Sequence, residues 1–336
     1  MVFTDADYPY TATRAKVMRS RLLKKGDYER LEKVQLFEMI QGLSSFGYDA
    51  TELSKEYNGL ELLNLALNRG LASTVQKLLK IAIDPELAEV IGSYSKKWIA
   101  VNIKTGLRAR AYNLPEKDIK YACIPVGGYG QEFARQLVSA PADSIVRMIG
   151  KILPVDKAKL REALEKKDMT AAENEVEKAY YSHLLVLSKG LAEGMQPIRA
   201  FLNQVIMLVN IRNAFKFRLA GMDARQAAGL MAGDDRLPLE ILNADSPKAA
   251  IEALKASKYR QFAEGIESDI SRLEINIEKY LLVYTSGLVK EEPLSIFPVI
   301  NFLLAKEAEI RNLRLYGAWK AGLLDEKFVR ENVVVV

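Results

Sequence analysis

Val209-Asn210-Ile211-Arg212-Asn213-Ala214-Phe215-Lys216-Phe217-Arg218 reads as one helix with an apolar stripe (Ile211, Phe215, Leu219) beside a cationic one (Arg212, Lys216). The chain repeats it. Val101-Asn102-Ile103-Lys104-Thr105-Gly106-Leu107-Arg108-Ala109-Arg110 keeps the order Asn, Ile, cation, and then an apolar residue and a second cation. Glu309-Ile310-Arg311-Asn312-Leu313-Arg314-Leu315 is a looser third copy. Counted from Asn102, Asn210 and Glu309, the copies lie 108 and 99 residues apart. One helix restated at near-constant spacing predicts a chain built of repeated units.

The rest of the sequence fits an all-α protein. Helical periodicity dominates, and β-branched runs are almost absent before Val333–Val336. Tyr10–Lys25 is expected to be a basic helix, ended by Gly26, with Asp27 capping the next. Glu61–Ile81 is strongly Leu-rich. Asp84-Pro85-Glu86 is a start signal, with a cap, a first-turn proline and an acid at the positive end of the helix dipole. That helix is predicted to run to about Tyr112. Asn113-Leu114-Pro115 stops it, and Ile124-Pro125-Val126-Gly127-Gly128-Tyr129-Gly130 is a turn-rich link. Asp143–Ile152, Asp156–Glu165 and Thr170–Gly190 are further helices before the central copy.

A second landmark recurs. Glu177-Lys178-Ala179-Tyr180 precedes the central copy, and Glu278-Lys279-Tyr280 precedes the third; the first copy has no such segment. A polar link, Gly233-Asp234-Asp235-Arg236-Leu237-Pro238, stands where the glycine-rich link stood, and Ser246-Pro247 starts a short helix. Three bundles follow from this layout, 1–115, 116–225 and 226–336, each packing antiparallel helices around an apolar stripe.

Chemistry is sparse. No stretch has the roughly 20 mostly apolar residues a membrane span needs, because Arg199 and Arg212 close one candidate and Glu291, Glu292 and Lys306 the other. Residues 1–10 carry acids and no apolar run, so no signal peptide is expected. The net charge of +5 balances 48 basic against 43 acidic residues, and because the bases fall mainly in the repeated helices the excess alone says little about nucleic acid. His183, the one histidine, lies in a Leu-rich helix, where a lone histidine is far more often a packed or partly exposed residue than a catalyst. Cys123, the one cysteine, lacks the cationic neighbours that make a thiolate and excludes an intramolecular disulfide. Gly127-Gly128-Tyr129-Gly130 has neither the Lys-Ser/Thr of a P-loop nor a preceding strand, and reads as a turn. Asp234-Asp235 has no companions that would define a metal site.

The repeated helix places mildly unfavourable residues at matched positions. Lys104/Arg108 and Arg212/Lys216 are like-charge pairs one turn apart, and asparagine is a poor interior helix residue. Two readings stand side by side: contacts across a junction or to an acidic partner, or a solvated basic face inherited by duplication. The candidates are Asn102, Lys104, Arg108, Asn210, Arg212, Lys216, Arg311 and Arg314, with Arg14, Arg19 and Arg21 near the N-terminus open to the same two readings. Val333–Val336 is an apolar end that either docks on its own protein or becomes ordered in a complex.

At this point the residues resemble a family. The opening Tyr8-Pro9-Tyr10, Arg14-Ala15-Lys16-Val17 and Arg21-Leu22-Leu23, the Glu177–Tyr181 segment, the Asn210–Lys216 helix and the ending Glu309–Arg314, Gly322-Leu323 and Val329–Asn332 are similar to the C-type subunits of archaeal-type (A/V-type) ATP synthases, the counterparts of the d-type subunits of vacuolar ATPases. The resemblance covers essentially the whole chain. It departs at Arg314, one position off the cation slot of the other two copies, and in the first unit, which lacks the Glu-Lys-aromatic landmark. It implies three similar helical bundles in a pseudo-threefold funnel, with no cofactor and no nucleotide site. It implies a non-catalytic connector between the central shaft (D- and F-type subunits) and the membrane rotor ring, in proton- or sodium-driven ATP synthesis or hydrolysis. The place implied is the cytoplasmic face of the membrane, peripheral, without bilayer insertion or nucleic acid. The alternative from the residues alone is an α-helical repeat scaffold binding peptide or nucleic acid.

Overall fold

The structure is a computed structural model and describes residues 8–191, 195–233, 235–266 and 269–335. Residues 1–7, Asp234 and Val336 lie outside them. Among the described residues there is no strand. The chain runs α1 (Tyr8–Ser20), α2 (Lys25–Lys33), α3 (Leu36–Gly42), α4 (Gly59–Ile81), α5 (Pro85–Tyr112), α6 (Glu116–Ala122), α7 (Gln131–Ser139), α8 (Ala142–Gly150) and α9 (Lys157–Glu165). It continues through α10 (Met169–Gly190), α11 (Gln196–Leu219), α12 (Ala224–Ala228), α13 (Arg236–Asn243), α14 (Pro247–Lys255), α15 (Arg272–Glu291), α16 (Phe297–Lys320) and α17 (Glu326–Asn332).

Side-chain caps set many of the starts. Asp84 accepts from the Leu87 amide at 2.9 Å, Asp168 from Ala171 at 2.9 Å, Ser246 from Ala249 at 3.1 Å and Asp325 from Phe328 at 2.7 Å. Each satisfies an amide that the first turn leaves without a helical partner. The N-terminal region differs from its sequence reading. α1 ends at Ser20, and Asp27 sits inside the first turn of α2, reaching back to accept from the Lys24 amide at 2.8 Å. Asp27 is therefore the return arm of a capping box, and Gly26 is part of α2.

The chain forms two compact units. One is Pro141–Leu281; the other joins 8–140 to 282–335. In the second unit α16 packs on α1 and α4, while α5 packs on α4, α6 and α7. From Phe297 to Leu313 nearly every residue of α16 is buried, so it carries no polar stripe and serves as the core of its unit. Gly106 lets α5 and α7 touch, since a Cβ there would fall 2.9 Å from the Ala134 carbonyl. In the Pro141–Leu281 unit, α11 packs on α10 and α13, α9 on α8 and α10, and α13 on α14. Ile211 and Phe215 are buried there as the sequence stripe predicts, but Leu219, the last residue of α11, is 60% exposed. The stripe runs out where the helix does.

The third copy of the repeat is in a different phase from the one counted from Glu309. Asn102, Asn210 and Asn312 are all buried, and each clasps the main chain 22 residues further on. Asn102 Nδ2 donates to the carbonyls of Ile124 and Tyr129 at 2.6 Å each, and its Oδ1 accepts from the Ile124 amide at 2.8 Å. Asn312 Nδ2 donates to the Val334 carbonyl at 2.8 Å, and its Oδ1 accepts from the Val334 amide at 3.0 Å. Asn210 Nδ2 donates to the Ala232 carbonyl at 2.8 Å. The short helices α6, α12 and α17 each begin 14 residues beyond their asparagine. The copies therefore start at 102, 210 and 312, and Arg314 falls in the cation slot of Lys104 and Arg212.

The clasp sets an order of stability costs. Asn102→Leu and Asn312→Leu each strip partners from a buried amide and carbonyl, and each should cost about 3 kcal/mol. Asn210→Leu removes fewer bonds and should cost about half as much. Urea unfolding of the three variants measures this; equal losses, or losses under about 0.5 kcal/mol, would contradict the clasp.

Candidate functional site

Each repeated helix uses its cations at matched positions, mostly to hold its own fold. Eight residues beyond the asparagine stand Arg110, Arg218 and Lys320. Arg110 Nη1 donates to the Val138 and Ala140 carbonyls at 2.9 and 2.6 Å, at the end of α7. Arg218 Nη1 donates to the Leu242 carbonyl at 3.2 Å, at the end of α13. Lys320 Nζ donates to the Glu32 carbonyl at 2.6 Å, at the end of α2. A cation at a helix C-terminus meets unpaired carbonyls and the negative end of the dipole. The helix gripped in the third copy comes from near the N-terminus, so α2 stands to α16 as α7 stands to α5.

The helix preceding each of the first two copies adds another tie. Asn68 on α4 donates to the Tyr121 and Cys123 carbonyls at 2.8 and 3.1 Å, and Lys178 on α10 to the Gly229 carbonyl at 2.7 Å. Tyr121 and Gly229 both lie 19 residues beyond their asparagine. The first copy therefore has a counterpart of Lys178, but it is Asn68, invisible to a search for Glu-Lys-aromatic.

The sequence candidates do not converge on one site. Asn102 and Asn210 are buried clasps. Arg212 Nη2 donates to Glu177 at 2.6 Å and to the Asn213 side chain at 2.9 Å. Burial works against the Arg212 guanidinium, while the Tyr181 hydroxyl and the Glu177 and Glu274 carboxylates raise its pKa above the ordinary arginine value. Lys216 pairs with Glu274. Arg311 donates to the Asn332 carbonyl at 3.1 Å, and Arg314 to Asn68 Oδ1 at 2.6 Å. Lys104 is half-buried, while Arg108, Arg14 and Arg21 are exposed. Arg19 is half-buried; desolvation lowers its pKa against the pull of Glu309.

Glu309 anchors a buried ionic cluster that the sequence reading missed. Its Oε2 accepts from the Leu23 amide at 2.6 Å; its Oε1 accepts from the Tyr48 hydroxyl at 2.6 Å and Lys306 Nζ at 2.9 Å. Lys306 Nζ also lies 3.8 Å from the Tyr48 ring centroid. Glu309, Lys306 and Tyr48 are all under 5% exposed. Burial, then the Glu309 charge, pushes the Tyr48 hydroxyl pKa well up, so the phenol stays a donor. Burial lowers the Lys306 pKa, opposed by Glu309. The cluster ties α16 to the α1–α2 link and to the segment after α3. The sequence signal was a Lys and a Glu three apart at the end of the apolar run 297–305 of α16.

Other expected features have structural roles. Cys123 is 4% exposed within a cluster of Ala109, Ile119 and Ala134, and burial pushes its thiol up to about 12. Gly127 and Gly128 adopt φ of 60° and 79°, the left-handed turn expected of that link. His183 is half-buried on α10. Among the described residues no group of three or more His, Cys, Asp or Glu is placed to hold a metal ion. No described helix is long and apolar enough to cross a membrane.

Three matched clasps recur on long helices of an all-helical protein whose polar side chains largely serve its own scaffold. Comparison with known proteins identifies the group: the chain belongs to the ATP synthase (C/AC39) subunit family, whose profile matches residues 11–327. Among its relatives is the C-type subunit of the A-type ATP synthase of Methanosarcina acetivorans, 27% identical over 350 positions that span 98% of this chain and 94% of that protein. The proteins of that name from Archaeoglobus fulgidus and Haloquadratum walsbyi are 27% and 28% identical, covering 98% and 96% of this chain and 97% of each of their own.

Two measurements check this chemistry. The Cys123 pKa is raised from 9.0 to about 12 in the fold, so its stabilising contribution is complete below pH 9 and is lost as pH climbs toward 12. Cys123→Ala should flatten the alkaline loss of stability over that window, and a thiol reagent should label the native protein only as fast as it opens. Glu309→Ala leaves Lys306 charged and buried and should cost about 3–5 kcal/mol in urea unfolding, most of it recovered in a Lys306→Met/Glu309→Leu pair; a near-neutral Glu309→Ala would show that the cluster is not closed.

Proposed function

We propose that the chain is the C-type subunit of a rotary A-type ATP synthase, a non-catalytic connector between the central shaft and the membrane rotor ring. The observation that carries this is the family match from residue 11 to 327, with relatives of that name covered nearly end to end. The geometry supports the same reading. A connector that passes torque must not yield, and close-packed helical interiors have low compressibility. Here the helix ends are pinned as well, by the three amides and the three cations that grip α7, α13 and α2.

In this reading the partners are the D- and F-type shaft subunits on one side and the rotor ring on the other, at the cytoplasmic face of the membrane and without insertion into it. The three repeats, in sequence periods 1–115, 116–225 and 226–336, form a pseudo-threefold funnel. What supports that arrangement is the recurrence of clasp, short helix and gripped helix at 102, 210 and 312, with α2 completing the third set. Basic side chains set register on acidic partner surfaces more than they add affinity.

The purified chain is expected to turn over no ATP. In a reconstituted complex its omission should leave hydrolysis in the catalytic head while abolishing ion pumping, and adding it back should restore coupling. A chain that binds neither shaft subunits nor rotor ring would sink the proposal.

A further inference from the structure

A groove of about 460 Å³ opens in the unit that joins the two chain ends, between the α1–α2 link, α15, α16 and the C-terminal segment. Its floor is apolar, with Val289, Pro298 and Val335, and Val335 is 43% exposed. Its rim is cationic, with Lys16, Arg19, Lys24 and Lys25, and among the described residues no acidic side chain lines it. The nearest acid in sequence, Asp27, is already engaged by the Lys24 amide and by Arg30. Arg19 lies within the pull of Glu309. Among the described residues, the exposed lysines around the apolar trough have no acidic side chain in its walls to neutralise them.

We infer that this groove receives an acidic, amphipathic peptide segment of a partner protein, its carboxylates on Lys16, Lys24 and Lys25 and its apolar side chains on Val289, Pro298 and Val335. The charge is complementary, and the apolar surface supplies the anchor that charge alone lacks. A lipid surface fits less well, because the apolar residues lie inside a groove while a bilayer presents a broad face. Nucleic acid fits less well again, since no aromatic ring lines the groove for bases to stack on. The groove belongs to this unit alone, so its occupancy does not depend on assignment to a rotary complex.

The test uses the full chain against a phage-displayed library of random peptides. Enriched sequences should combine Asp or Glu with Leu, Ile or Phe, and the best synthetic peptide should bind more weakly as salt rises. Lys24→Glu/Lys25→Glu should weaken that peptide about tenfold or more, and Val335→Asp likewise. Arg14→Glu/Arg21→Glu, outside the groove, should leave it within twofold, with all variants melting as the parent does. The inference is overturned by no enrichment, by enrichment of basic or purely apolar peptides, or by equal loss in the Arg14/Arg21 control. It is overturned also if vesicles with phosphatidylserine displace the peptide or bind the parent but not the Lys24/Lys25 variant, since the occupant is then a lipid.

Discussion

A helix satisfies its own main chain, but the segment that leaves it does not, and this fold answers that problem the same way three times. A buried asparagine near the middle of a long helix offers one donor group and one acceptor, and it meets the extended main chain that returns after the next short helix. Without it, the amides of Ile124 and Val334 and the Val334 carbonyl would be buried unpaired. This explains why a residue of low helix propensity stands in the interior of α5, α11 and α16: its cost to the helix is small beside the cost of the orphaned groups.

The cations follow the same logic one layer out. Arg110, Arg218 and Lys320 close the ends of neighbouring helices, while Arg212 and Arg314 tie long helices to those before them. Much of the basic stripe, which the sequence leaves open between contacts to a junction or acidic partner and a solvated face, bonds within its own chain. Exposed lysines of α1 and of the start of α2 stand beside the apolar groove.

Much of this is legible in sequence. The helical class, the Asp84-Pro85-Glu86 start, the stop at Asn113 and the Ser246-Pro247 start follow from local rules of capping and backbone preference, and the structure repeats them to within a residue or two. The repeat itself is visible at Asn102 and Asn210. Its third phase is not, because Glu309-Ile310-Arg311 competes with Asn312-Leu313-Arg314, the segment that carries the Asn, aliphatic, cation order. What decides between them is the bond to a residue 22 positions later, which no local pattern contains. The Glu309 cluster is hidden for the same reason, since Leu23 and Tyr48 are more than 250 residues away.

The sequence by itself determined where helices start and stop, which faces are apolar, and that one helix is restated, because these depend on interactions within a few residues. Only the tertiary structure decided what the restated polar residues are for. Asparagine and arginine can bond to water, a partner or their own chain at similar net gain, and burial alone selects among these by removing the water. Packing of α2 and the 333–335 segment against α16 makes that selection, and it turns an echo of Asn, Ile and cation into a set of fastenings.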